Sequence, residues 1–275
     1  RRHLRLTGTP IVNRPAELQN IVDDLNPAFA GWGYLKRYCG ATNNGYGWDF
    51  SGAANLDELQ RRLRESIMVR RLKADVLTEL PRKIRQVIEL EPDSAVARKA
   101  LATEGRYEED SEERMAALRA EVELAKAEGS ESYEAAVARL KDALQVDFTE
   151  MARLRHETAL AKLPQVLQHM TEVLEDEPDK KIIVAAHHHD VVDEIAARAS
   201  DAGWKPVVLT GRNTEAERLA AVDAFQTDKA VRVFVGGIQA AGVGITLTAA
   251  SHVIFAELDW VPGNISQFED RAHRI

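Results

Sequence analysis

Residues 181–209, KIIVAAHHHDVVDEIAARASDAGWKPVVL, decide the fold. Five apolar residues, Ile182-Ile183-Val184-Ala185-Ala186, form a run of strand length that is apolar on both faces. Residues 190–200 then repeat apolar side chains at helical spacing, and Pro206-Val207-Val208-Leu209 is a second strand. The alternation continues with a helix over 214–226, strands over 231–235 and 252–255, and a helix over 263–274. Strands alternating with helices specify a parallel sheet covered on both faces, a fold whose functional loops lie at the carboxyl ends of the strands.

Upstream the pattern differs. Residues 94–158 are rich in Ala, Glu, Arg and Leu with few breakers except Gly105 and Gly129, the composition of two or three long helices forming a hairpin. Leu56, Leu59, Leu63 and Ile67 mark an amphipathic helix, Pro15 opens a helix striped by Leu18, Ile21, Val22 and Leu25, and a short helix is expected from Trp32 to Tyr38. Residues 84–90 alternate apolar and polar and predict a strand. Leu4 to Pro10 reads as the end of a buried strand followed by a tight turn. A strand there needs ladder partners, so its neighbours are expected upstream of Arg1.

The 275 residues suggest about two domains, and no apolar run is long enough to span a membrane. One cysteine, Cys39, excludes an internal disulfide framework and any multi-cysteine metal site. The net charge of −8 argues against a wholly basic nucleic-acid binder. Locally the charge is uneven: residues 61–85 hold nine Lys/Arg against three Asp/Glu, and residues 104–134 eleven Asp/Glu against four Lys/Arg. Both stretches suit solvated helix faces, and the basic one also suits phosphate.

Three strand-end loops combine Gly with hydroxyl or amide residues: Thr7-Gly8-Thr9, Thr210-Gly211-Arg212-Asn213-Thr214, and residues 236–247 with Gly242, Gly244 and Thr246. Such loops let backbone N–H groups approach phosphate, although Thr214 with Glu217 also reads as a helix capping box. Gly242-x-Gly244 lacks the third Gly of a dinucleotide fingerprint. On the last helix Gln267, Arg271 and Arg274 share one face, a grouping suited to polyphosphate. The alternative is a surface helix in which Glu269 or Asp270 pairs with the two arginines. His187-His188-His189 follows a strand, but no cysteine or carboxylate cluster joins it, and no metal site is expected. Gly-Lys occurs nowhere, so a complete P-loop engine is excluded and a phosphate cradle would have to come from another segment.

In order, LTGTP (6–10), MVRRLKADVLTELPRK (68–83), GVGITLTAA (242–250) and Gln267-x-x-x-Arg271-x-x-Arg274 resemble the SWI/SNF-type DNA translocases of helicase superfamily two, from motif III to motif VI. Arg37-Tyr38-Cys39, residues 48–52 (WDFSG) and 255–258 (FAEL) look most like the annealing-helicase (HARP-like) branch. The resemblance implies an α/β chain: residues 1–92 as the C-terminal remnant of a first RecA-like lobe, 93–158 as a helical protrusion and linker, and 159–275 as a second RecA-like lobe. Motifs I, Ia and II would lie before Arg1. It implies Arg271 and Arg274 as catalytic arginines reaching ATP phosphates, with Gln267 and Gly244 also at ATP. Thr7, Gly8 and Thr9 would couple hydrolysis to lobe motion, and His187, His188, Thr210, Gly211, Arg212 and Thr246 would face DNA.

The function so implied is the C-terminal part of an ATP-dependent duplex- or forked-DNA translocase, with a non-catalytic DNA-binding or scaffolding module as the alternative. ATP and Mg²⁺ would serve the intact protein, and neither is expected to bind these residues tightly by themselves. The expected partners are DNA and an upstream first-lobe segment, not a membrane. Ala/Arg-rich usage suggests a bacterial, nucleoid-associated cytoplasmic protein, or a nuclear one in a eukaryote. Gly237, Thr246, Glu257 and Val261 depart from the Ser, Asn, Asp and Asn common at these positions in that family.

Overall fold

The computed structural model describes residues 4–43, 47–128 and 132–274. Gly129, read above as a helix breaker, lies outside them. The C-terminal part is a four-stranded parallel sheet of β3 (Ile182–Ala186), β4 (Val207–Leu209), β5 (Val233–Gly237) and β6 (His252–Phe255), in the order β4-β5-β3-β6. Helices α7 (His189–Asp201), α8 (Glu215–Thr227), α9 (Ile238–Ala241) and α10 (Pro262–Ala272) alternate with the strands.

The period-two geometry of a strand sorts the apolar run of β3 between two cores. Ile182, Val184 and Ala186 join Val191 and Ile195 of α7 on one face, and Ile183 and Ala185 join Phe225 of α8 and Phe268 of α10 on the other. Every residue of β3 is fully buried, as a central strand between two helical layers must be. The capping box at the start of α8 has both of its hydrogen bonds: the Glu217 amide donates to Thr214 Oγ1, and the Thr214 amide donates to the Glu217 carboxylate.

Helices α5 (Ala95–Glu128) and α6 (Ser132–Asp176) make the expected hairpin. Ion pairs Glu121–Arg139, Arg114–Asp147 and Glu104–Arg155 step up one helix and down the other, which sets the antiparallel register. Helix α6 runs unbroken past residue 158. Its C-terminal half, with Ala159, Leu163, Val166, Met170 and Leu174, forms part of the sheet's first core. Protrusion and sheet are therefore joined by one continuous rod. No helix among the described residues is long and apolar enough to cross a membrane.

The N-terminal part is a small helical cluster: a 3-10 turn at Pro15–Leu18, α1 (Gln19–Leu25), α2 (Trp32–Tyr38), α3 (Leu56–Ser66) and α4 (Lys73–Val76), with a two-residue antiparallel pair β1 (Thr42–Asn43) and β2 (Trp48–Asp49). Leu18, Val22, Phe29, Tyr34, Tyr38, Leu59 and Leu63 form its core. A bidentate Arg37–Glu58 pair at 2.6–3.0 Å joins α2 to α3, and Tyr38 Oη donates to Glu58 at 2.9 Å. This cluster touches α10. A methyl group at Gly263 would stand 2.3 Å from the carbonyl oxygen of Val12, so only glycine admits the approach.

Two sequence expectations fail here. Residues 84–90 and 4–6 are irregular and open to solvent, with Ile84 90%, Val87 89% and Leu6 87% exposed. Alternation supplies the side-chain pattern of a strand, but a strand also needs a neighbour for its N–H and C=O groups, and no described residue pairs with either segment.

Two outcomes follow for stability. Hydrogen bonds from Arg37, and then from Tyr38, lower the Glu58 carboxyl from 4.5 to about 2. Its stabilising effect is therefore complete above pH 4.5 and fades as pH falls towards 2. Glu58→Gln is expected to melt below wild type at pH 7 and to match it near pH 2, measured by circular dichroism. Gly263→Ala is expected to cost about 1–3 kcal/mol by overpacking, read from urea titration.

Candidate functional site

The parallel sheet gathers the loops after β3, β4 and β6 along one edge. His187 and His188 follow β3 directly. The backbone amides of both donate to Glu257 Oε2, at 2.8 and 2.9 Å, and His188 Nδ1 lies 2.6 Å from Glu257 Oε1. Glu257, only 6% exposed, follows β6 and ties its loop to that of β3. The His188 ring stacks on His156 of α6 at 4.1 Å, and His156 Nε2 reaches Asp190 at 2.7 Å. The His188 and His156 rings therefore have carboxylate partners, and among the described residues no group of three or more His, Cys, Asp or Glu is placed to hold a metal ion.

After β4, Thr210 is buried, and its hydroxyl and amide are engaged with Asn213 and Arg212 inside their own turn. Gly211 and Arg212 stand exposed beside it. Arg212 Nη2 pairs with Asp193 Oδ1 at 2.6 Å, and that hydrogen bond raises the guanidinium's pKa. Thr7 Oγ1 accepts from the Thr9 amide at 3.2 Å, a local turn that precedes the contact of Val12 with Gly263.

Gln267 and Arg271 share a face of α10, as their spacing requires, but the helix expected over 263–274 ends at Ala272, so Arg274 stands two residues beyond it and is held there by its own bond from Nε to Asp270 O at 3.0 Å. The loop at 244–247 lies against that helix. Gly244 turns it with φ +76°, a backbone region glycine enters freely. Arg271 Nε donates to Gln267 O at 3.0 Å and Nη1 to Ile245 O at 3.3 Å. Arg274 Nη1 donates to Thr246 Oγ1 at 3.1 Å, and the Leu247 amide donates to Arg271 O at 2.8 Å. The Thr246 hydroxyl is thus engaged by an arginine of the site. Burial, and then the neighbouring Arg274 charge, lower the pKa of Arg271. The nearby Asp270 charge raises it but is outweighed, and a guanidinium so disfavoured is one an anion would relieve.

Glu269 and Asp270 do not pair with these arginines. They face Lys73, Lys83 and Arg85 instead. Part of the basic stretch at 61–85 is therefore occupied by α10 rather than open to phosphate or wholly solvated. Sequence reasoning missed this set and also the Glu257–His188–His156–Asp190 chain. The one signal for the latter was an acidic residue directly after an apolar strand.

An SNF2-related domain matches residues 1–146, and a helicase conserved C-terminal domain matches residues 162–275. The DNA annealing helicase and endonuclease ZRANB3 of Homo sapiens is 36% identical over 281 residues, covering 100% of this chain and 24% of that protein. The SWI/SNF-related matrix-associated actin-dependent regulator of chromatin subfamily A-like protein 1 of Xenopus tropicalis is 36% identical over 277 residues, covering 100% of this chain and 26% of its own length. The solved C-terminal part of the Fun30 ATPase domain aligns with a TM-score of 0.38 at 26% identity, over 40% of this chain and 36% of that one. The chain spans about a quarter of the length of the curated relatives it matches. With an SNF2-related domain over its first half and a helicase conserved C-terminal domain over its second, the chain belongs to the SWI/SNF-type family of helicase superfamily two.

Proposed function

We propose that these residues supply the arginine-bearing wall of an ATP cleft and part of the DNA-facing surface of a translocase acting on duplex or forked DNA. One observation carries the reading. Arg271, in the last turn of α10, and Arg274, just past its end, are both hydrogen-bonded to the 245–247 loop, while the carboxylates of α10 are held elsewhere. Such a pair suits the phosphates of ATP, whose hydrolysis provides the free energy for movement. In this reading Gln267 and Gly244 border the nucleotide.

The sheet edge supplies the DNA side. His187 and His188 are oriented by Glu257, and Gly211 offers exposed backbone. Arg212 reaches phosphate by exchanging Asp193 for it, a modest cost for an exposed pair. Thr246 belongs to both sides, since its hydroxyl accepts from Arg274 while its loop leads back to the strands. Thr7, Gly8 and Thr9 lead into Val12 against Gly263, a contact suited to coupling lobe motion to α10.

The Gly-Lys loop that would cradle the phosphates, and an acid for Mg²⁺, are assigned to another segment, because the 275 residues contain no Gly-Lys pair. ATP and Mg²⁺ are then expected to bind only when that segment is present. The second reading, a non-catalytic DNA-binding or scaffolding module, draws on the same absence.

In the full-length protein, Arg274→Ala is expected to keep DNA binding and lose most DNA-stimulated ATPase, since such arginines are worth roughly 10³–10⁵ in rate; turnover close to wild type would reject the arginine role. The 275 residues by themselves are expected to hydrolyse no ATP with or without DNA. They are expected to bind DNA weakly, with affinity that falls as salt rises, measured by fluorescence anisotropy. DNA-dependent hydrolysis by these residues would overturn the assignment of the missing loop.

A further inference from the structure

Asp270 lies in the last turn of α10, and Arg274, two residues past the helix end, donates through Nε to the Asp270 carbonyl at 3.0 Å, beside a carboxylate of opposite charge. Pairing with that carboxylate would tie the Arg274 guanidinium back to α10. The structure contains a different arrangement. Asp270 Oδ1 lies 2.6 Å from Lys83 Nζ and 3.1 Å from Lys73 Nζ. Glu269 Oε2 lies 3.2 Å from Lys83 Nζ and 2.7 Å from Arg85 Nη2, with a second bond from Arg85 Nε to Oε1 at 2.8 Å. Arg274 is left with a backbone carbonyl and the Thr246 hydroxyl.

We propose that Lys73, Lys83 and Arg85 are positioning residues that neutralise the carboxylates of α10 and so leave Arg271 and Arg274 free for phosphate. The inference rests on the ATP reading above and gives a task to the 68–83 motif, to which no function was assigned.

The contacts form a built interface. Lys73 Nζ also donates to His273 O at 2.9 Å, at the carbonyl end of the helix where cations are favoured. The His273 Nε2 atom lies 2.8 Å from Pro81 O, so the segment grips α10 by side chain and by backbone. The Glu269 side chain is only 12% exposed, so its charge is weakly screened by solvent and needs a partner. Burial by itself would raise the Asp270 carboxyl, yet its ion pairs with Lys83 and Lys73 outweigh it and hold the group below its ordinary value. The pair to Glu269 likewise raises Arg85. These bonds connect residues about 190 positions apart. They bind the link between the helical cluster and the hairpin to the helix that carries the arginines.

Neutralisation and simple tethering make opposite predictions. In the full-length protein, Lys83→Ala with Arg85→Ala is expected to lower DNA-stimulated kcat by about tenfold or more, with a smaller change in KM for ATP, as for a misplaced charge-stabilising group. Adding Glu269→Gln and Asp270→Asn removes the charges that needed neutralising and is expected to restore kcat to within about threefold of wild type. A tether would not be restored, because the added changes leave it just as broken. Loss without rescue, or unchanged kcat in the first variant, overturns the proposal. If the first variant does not fold, Glu269→Gln with Asp270→Asn by itself decides: near-normal kcat supports neutralisation, and a tenfold loss overturns it. Arg274→Ala in the same assay separates the two layers. If it abolishes turnover, a failure above belongs to the positioning role only; if it turns over normally, the arginine assignment falls and the positioning role with it.

Discussion

Three hydrogen bonds join the 245–247 loop to the last turn of α10 and to Arg274 just beyond it, and the candidate site depends on them. The Leu247 amide donates to the Arg271 carbonyl, while the Arg271 and Arg274 side chains donate back to Ile245 and Thr246. The last carbonyls of a helix have no partner within it, so an outside amide at this point both satisfies the helix and fixes the loop beside it. Leu247 is fully buried in the same core as Phe268, which fixes the loop from beneath. Loop and arginines therefore form one unit.

Charge is sorted around that unit. On one side Glu269 and Asp270 turn to the 73–85 segment; on the other, burial and then the Arg274 charge disfavour the charged form of Arg271. At the sheet edge a single buried carboxylate, Glu257, accepts two backbone amides and a ring nitrogen, and so sets the loop after β3. Helix α6 adds His156 against His188 and Arg155 over the ring of Trp260 at 3.7 Å. The hairpin is thus in direct contact with the loops that follow β3 and β6.

Much of the fold was legible because burial leaves a local trace. The run 182–186 could only be a central strand, and the stripe through Leu59 and Leu63 could only be a helix face. Alternation over 84–90 left the same kind of trace and misled, because pairing is a property of two segments and no partner for this one is present among the described residues. The hairpin's two helices were evident from composition. Its register came only from contacts across the hairpin, such as the Arg114–Asp147 pair, whose members are 33 residues apart, and the packing of Val122 and Ala125 with Ala136.

For the candidate site, helical periodicity put Gln267 and Arg271 on one face, but it also carried the helix through Arg274, which stands past the helix end at Ala272; the order of motifs alone indicated the family. Which charges those arginines would meet was undecided in the sequence: Asp270 is their near neighbour along the helix, and Lys83 is almost two hundred residues away. The tertiary structure decided it by folding the 73–85 segment back onto α10. Periodicity follows from backbone geometry, which each stretch carries within itself; ion-pair partners are chosen by distance in space, which exists only once the chain has folded.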